Sequence, residues 1–303
     1  MILLLLRGHG GEFDISGVNY PDGTLSDYVV FIDSLRYTDG YNEAYPDTVY
    51  SARIHTTTST GLIINHPYYK FLGWSVWSQS TENSAINVGS DGDYVIIQNC
   101  YAIQEWSRSY GVKFDLGSQN SKIISCLILT DRGWGIWIGD DYTYIYNCTI
   151  IKFGEDTSTN PYSCIFTYSS SYPPVYVANN IAYIVIEDRT AQRLVDFHPN
   201  ASTNLFDYNL YWAPYKFDNW WSYYTTNCNT IEEWRIALSV EYEGAEDHSM
   251  YANPLFLETV NYAVDETSPA WESGYDLGYG TTIGYYQGSI SKPSNRKNLI
   301  LIW

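Results

Sequence analysis

The sequence predicts an all-β chain wound as a parallel β-helix, a solenoid closed by an irregular N-terminal cap and by a C-terminal cap holding one short helix. Three observations lead there. Five segments repeat one design: Tyr94–Ile103, Ser121–Leu129, Tyr142–Ile151, Val175–Ile184 and Asn204–Trp212, each alternately apolar with Asn, Cys or Ser near its middle. Their equivalent positions, Cys100, Cys126, Cys148, Asn180 and Asn209, follow one another at steps of 26, 22, 32 and 29 residues. A second strand series runs between them, at residues 111–117, 135–141, 163–170 and 193–200, and Gly, Asn, Asp and Ser mark the corners.

The physical reason is burial. Alternation gives each short strand an inward and an outward face. A unit of some 25 residues cannot bury its inner face alone, so units must stack, roughly 4.8 Å apart. Cys100, Cys126 and Cys148 then form an inward column of small apolar groups. Asn180 and Asn209 continue it as a ladder able to hydrogen-bond from coil to coil. A β-sandwich or propeller also has many short strands. Propeller repeats are longer, about 40–50 residues, and a sandwich does not repeat an Asn-Cys unit in register.

In chain order, residues 1–60 read as the N-terminal cap and first coil. The apolar run Ile2–Leu6 is expected to be a buried first strand. It is shorter than the about 7–15 residues of a signal-peptide core or the about 20 of a membrane span. Residues 61–212 hold the regular coils. Residues 213–303 leave the repeat and supply the cap that hides the last coil's edge. Within them, Thr230-Ile-Glu-Glu233 is a capping box that opens a helix to about Leu238. The closing Asn298–Trp303 is an apolar tail that would cover the chain's own core or dock on a neighbour. No Pro/Gly/Ser linker divides the chain, so one domain is expected.

These coils, with Asn99-Cys100 and Asn147-Cys148 followed by Gly-Val or Gly-Ile strands, resemble right-handed parallel β-helix proteins of the pectate-lyase-like superfamily, including secreted and tailspike-like phage or virus-encoded members. The closing segment is similar too, in Asn253-Pro-Leu-Phe256, Thr267-Ser-Pro-Ala270 and Gly274-Tyr-Asp-Leu-Gly278, as is the opening Gly10-Gly-Glu-Phe13. The resemblance implies an extracellular or virion-surface protein. It does not imply a reaction, because this fold carries lyases, hydrolases, adhesins and inert structural proteins.

Composition narrows the partners. Lys and Arg number 16 against 34 Asp and Glu, for a net charge of -18. Nucleic acid and anionic membrane surfaces both need clustered basic residues and are excluded as partners. With 31 Tyr and 11 Trp, the surface suits neutral sugars or other protein subunits, including copies of the chain itself. The five cysteines show no metal-binding spacing, and no metal or cofactor is expected. The five histidines have no motif partners, and no Gly-x-Ser-x-Gly elbow or phosphate loop is present.

Two functional readings follow. The first is glycan binding or structural assembly without chemistry. Its candidate residues are Trp106, Trp134, Trp137, Tyr168 and Tyr172 on one lateral face, with the dense aromatic run containing Trp220 and Trp221. That run could equally pack the cap onto the coils. The second is a glycoside hydrolase or polysaccharide lyase using Asp115, Asp140 and Asp141, with Lys113 as a base. If Val112, Phe114 and Leu116 point inward, Lys113 and Asp115 point outward, and Trp137 of the next coil lies over Lys113. Asp at a β-corner also caps turns, which is its commoner use.

Overall fold

The computed structural model describes residues 2–6, 13–14, 29–33 and 299–301, together with most of 54–285. Within that last span, positions 58, 82, 107, 140–141, 155–161, 169–174, 186–191, 198–204, 216–220, 224–225, 240–243, 258–261 and 279–280 are outside the description. The chain is a parallel β-solenoid in which each coil gives one strand to each of three sheets. The described residues form sheets of nine, eight and nine strands.

One coil shows the plan. Ile96–Gln98 lies in the first sheet, Tyr101–Gln104 in the second and Tyr110–Phe114 in the third. The next coil repeats this with Lys122–Ile124, Leu127–Thr130 and Trp134–Ile138, paired parallel and in register. The Asn-Cys unit is therefore not the middle of one strand. It is the corner between the first and second sheets. Asn99, Ser125, Asn147, Asn179 and Tyr208 all take positive φ there, between 50° and 59°. Asn tolerates the left-handed region better than most residues, which explains its recurrence.

The next residue at each corner points inward as the sequence predicts, and the column is hydrogen-bonded along its length, at the cysteines as well as along the expected Asn ladder. Cys100 N–H donates to Cys126 Sγ at 3.4 Å, Cys148 N–H to Asn180 Oδ1 at 2.9 Å, Asn180 N–H to Asn209 Oδ1 at 3.0 Å, and Asn209 N–H to Ser249 Oγ at 2.7 Å. Cys and Asn serve the same carbonyls. Cys148 Sγ donates to Tyr146 O and Asn180 Nδ2 to Ala178 O, each two residues back. All five cysteines are buried thiols outside any disulfide.

Sheets one and three alternate as predicted. Their inward columns, Ile97, Ile123, Ile145 and Val177 facing Val112, Ile136, Ile165 and Val195, make the core. The second sheet differs, being apolar on both faces. Its outward Tyr101, Ile103, Leu127 and Ile151 are buried under Tyr285, Phe256 and Tyr262. Farther along, Ile181 and Leu210 are buried under Val264, Ala270 and Ile283. The C-terminal segment thus does more than close the end. It doubles back along the second sheet as a strap. Asn147 Nδ2 donates to Thr282 O at 3.0 Å, Asn179 Nδ2 to Tyr275 O at 2.6 Å, Tyr285 N–H to Thr149 Oγ1 at 2.8 Å, and the Tyr285 hydroxyl to Tyr101 Oη at 2.9 Å. A fully buried Asn147 held in this way is no glycosylation acceptor, although Asn147-Cys-Thr matches the acceptor pattern.

The end cap itself is built on α1 (Ile231–Ser239). Thr230 Oγ1 accepts the Glu233 N–H at 3.1 Å, and Glu233 Oε2 accepts the Asn229 N–H at 2.7 Å, so the predicted capping box forms one residue wider than expected. Ile231, Trp234 and Leu238 bury the helix against the last coil. In the third sheet, Trp221–Tyr223 pairs antiparallel with Thr226–Cys228, which ends the parallel stack. At the other end, Ile2–Leu6 is the predicted strand, paired parallel with Val29–Asp33 and with the tail strand Leu299–Leu301. No helix among the described residues is long and apolar enough to cross a membrane.

Candidate functional site

The outward face of the third sheet gathers most of the predicted residues. Register puts Asn87, Lys113 and Trp137 side by side on successive coils, followed by Phe166 and Asp196. One column away, Tyr110 sits beside Trp134. Flat strands spaced by one coil bring flat rings into stacking range. Tyr110 stacks on Trp134 with centroids 5.1 Å apart and planes 12° apart. Trp137 stacks on Tyr168 at 5.6 Å and 26°. Phe166 joins the two pairs, 5.7 Å from Trp134 and 6.5 Å from Trp137. The result is a continuous row of five rings. Tyr168 is half exposed and the others are partly so.

One glycine lets the row form. Gly139 lies beneath the Trp137 indole, where a Cβ would collide with the ring.

Lys113 and Asp115 close one side of the row. Lys113 Nζ lies 2.5 Å from Asp115 Oδ1, 5.3 Å from the Trp137 ring centroid and 5.4 Å from that of Tyr110. Asn87 Nδ2 donates to Asp115 Oδ2 at 2.9 Å. Both carboxylate oxygens are therefore engaged, and the ammonium is held by its carboxylate and two rings. Such a partly exposed pair is worth at most about 1 kcal/mol to stability. Its effect is to fix polar groups at the edge of an aromatic surface. On the far side, Arg193 Nη1 donates to Asp196 Oδ2 at 2.7 Å.

Trp137 lies over Lys113 as the sequence predicts, but the alternation ends at Phe114. Leu116 belongs to the following turn and is 59% exposed, not inward. Trp106 is exposed but touches no other ring among the described residues. Trp221 is a correction. It is fully buried, edge-on to Tyr211 at 5.6 Å, and so packs the cap instead of meeting a ligand. Asp140, Asp141, Tyr172 and Trp220 lie outside the described residues.

One pair escaped sequence reasoning. His248 Nδ1 lies 2.7 Å from Asp207 Oδ2, and the imidazole stacks on Tyr208 at 4.4 Å. Asp207 Oδ1 also accepts the N–H groups of Tyr208 and His248, at 2.9 and 2.8 Å. These bonds clamp the 244–249 loop to the last strand of the first sheet. The partners stand 41 residues apart, and the only local signal was that Asp207 precedes a corner at the coil position just before the Asn ladder.

Set against protein-family models, curated proteins and solved structures, the chain matches none of them, so its assignment as a parallel β-helix stands on sheet register and corner geometry alone.

Proposed function

We propose that this protein is a non-catalytic β-helix of the pectate-lyase-like kind that binds glycans outside the cell or on a virion surface. The observation that carries the reading is the row Tyr110–Trp134–Phe166–Trp137–Tyr168 with Lys113, Asp115 and Asn87 along its edge. Sugar rings bury their apolar faces on aromatic planes while amides and charged groups bond the hydroxyls at the rim. The acidic net charge favours neutral glycans over anionic ones.

The alternative, a glycoside hydrolase or polysaccharide lyase, draws less support. A general acid or base needs a carboxyl or amine free to exchange a proton with substrate. Asp115 and Lys113 instead satisfy one another and Asn87.

The test is a polysaccharide panel that reads bound glycan and released reducing or unsaturated ends together. Binding without release supports the proposal. Release that vanishes in Asp140→Asn, Asp141→Asn or Asp115→Asn would replace it with the enzyme reading. Silence in both channels would leave structural assembly, with the aromatic row facing other protein chains.

A further inference from the structure

We propose that the hollow between α1 and the end of the second sheet is a second, separate glycan site, which takes one or two neutral sugar residues at a chain end. This rests on the reading of the protein as a glycan binder. The hollow has a cavity volume of about 630 Å³, within the usual range for small-molecule sites. Trp212 and Tyr251 line its apolar side, 5.1 Å apart and tilted at 42°. Thr230, Glu232 and Arg235 line its polar side.

Arg235 is the organising residue. Its Nε donates to Glu246 O at 2.8 Å and its Nη2 donates to Ser249 O. The guanidinium is therefore fixed before any ligand arrives, which removes an ordering cost from binding. Its Nη1 stands 4.0 Å from Glu232 Oε1, too far for a hydrogen bond. A hydroxyl pair on one sugar ring fits that gap, accepting from Arg235 and donating to Glu232. The ring's apolar face then lies on Trp212 or Tyr251.

The charge pattern rules against an anion. Arg235 and Glu232 offset each other. The first turn of α1 carries Glu232 and Glu233, and the capping box occupies the Glu233 N–H. The helix start thus repels anions, and the ligand class the hollow fits is neutral and polyhydroxylated.

Isothermal titration of the whole chain with neutral hexose and N-acetylhexosamine disaccharides tests this, with uronate disaccharides and a long polysaccharide as companions. Trp212→Ala and the exposed-site variant Glu232→Gln should each weaken neutral disaccharide binding at least tenfold and leave polysaccharide retention unchanged. Trp137→Ala on the third sheet should do the converse. Disaccharide affinity that is absent, or unmoved by Glu232→Gln, while polysaccharide is still retained overturns the second site and leaves the first. Uronate binding as tight as neutral binding overturns the assigned ligand class. Loss of all glycan binding, short and long, overturns both readings.

Discussion

The Tyr211 hydroxyl donates to Oε1 of Glu246 across 2.5 Å, and neither side chain reaches solvent. Trp234 Nε1 donates to the same oxygen at 3.1 Å. One carboxyl group thereby joins the last coil, through Tyr211, to the capping helix, through Trp234. Burial pushes the Glu246 pKa above the usual carboxylate value, while hydrogen bonds from Ser249, Tyr211 and Trp234 hold it down in part. Burial and the nearby carboxyl push the Tyr211 phenol well above its own ordinary value.

This sets a pH dependence. A carboxyl with a raised folded-state pKa binds its proton more tightly folded than unfolded. Its contribution is most favourable below the unfolded value, near 4.5, and is lost as pH rises through the higher folded value. The stability difference between wild type and Glu246→Gln should therefore shift toward the variant as pH rises from about 4 to 8. Urea denaturation at several pH values measures it, and a pH-independent difference would contradict it. Tyr211→Phe should cost about 1–3 kcal/mol by leaving the acid short of a donor.

The corner ladder predicts a second set of costs. Asn180→Ala strips partners from Cys148 N–H, Ile145 O and Ala178 O at once. At about 1–3 kcal/mol for the buried Cys148 N–H left unpaired, and about 0.5–1.5 kcal/mol for each bond lost to the two carbonyls, of which Ala178 O keeps the Asn147 N–H, a loss of about 2–6 kcal/mol is expected. Cys148→Asn should cost less than Cys148→Leu, because Asn already occupies the same position one coil later. Equilibrium unfolding of the three variants ranks them directly.

The thiols should be silent. Burial raises Cys164 to about 12 and Cys228 to about 11, and lifts Cys126 well above an ordinary thiol. A thiol-disulfide reagent at about pH 8 should find none of the five cysteines in the native protein and all five once it is denatured. Fast labelling of native protein would show that the corner column opens.

The aromatic row makes a two-part prediction. Trp137→Ala should weaken polysaccharide retention at least tenfold, read by affinity electrophoresis. Gly139→Val should weaken it as well without contacting the glycan, because its side chain would displace the Trp137 indole that now fills that space. Retention unchanged in both variants would remove the row from the binding surface.

The coils were legible because Cys100, Cys126, Cys148, Asn180 and Asn209 sit at one structural position, and stacked units keep such a position in step along the chain. The helix was legible because Thr230 and Glu233 are a local pair. The corner reads in sequence as a strand centre because positive φ at Asn99 leaves apolar alternation on either side intact. Trp221 and the Asp207–His248 pair were not legible, since each is decided by partners from other coils. The strap does leave a mark in the sequence. Leu127-Ile-Leu129 and Ile181-Ala-Tyr-Ile184 are apolar without alternation, which in parallel strands marks cover on both faces.

That strap has a consequence for how the molecule can change in length. A bare solenoid can gain or lose whole coils, since each new coil offers its neighbours the same surface. Here the returning segment is fastened at Asn179 on one coil, at Asn147 and Thr149 on the coil before it, and at Tyr101 two coils before that. Inserting one coil among them would shift every later anchor by roughly 4.8 Å along the axis. The Tyr285 and Tyr101 hydroxyls would then part while Asn179 still held Tyr275. The strap thus acts as a ruler that sets the number of coils, and duplications can be accommodated only outside the stretch it measures.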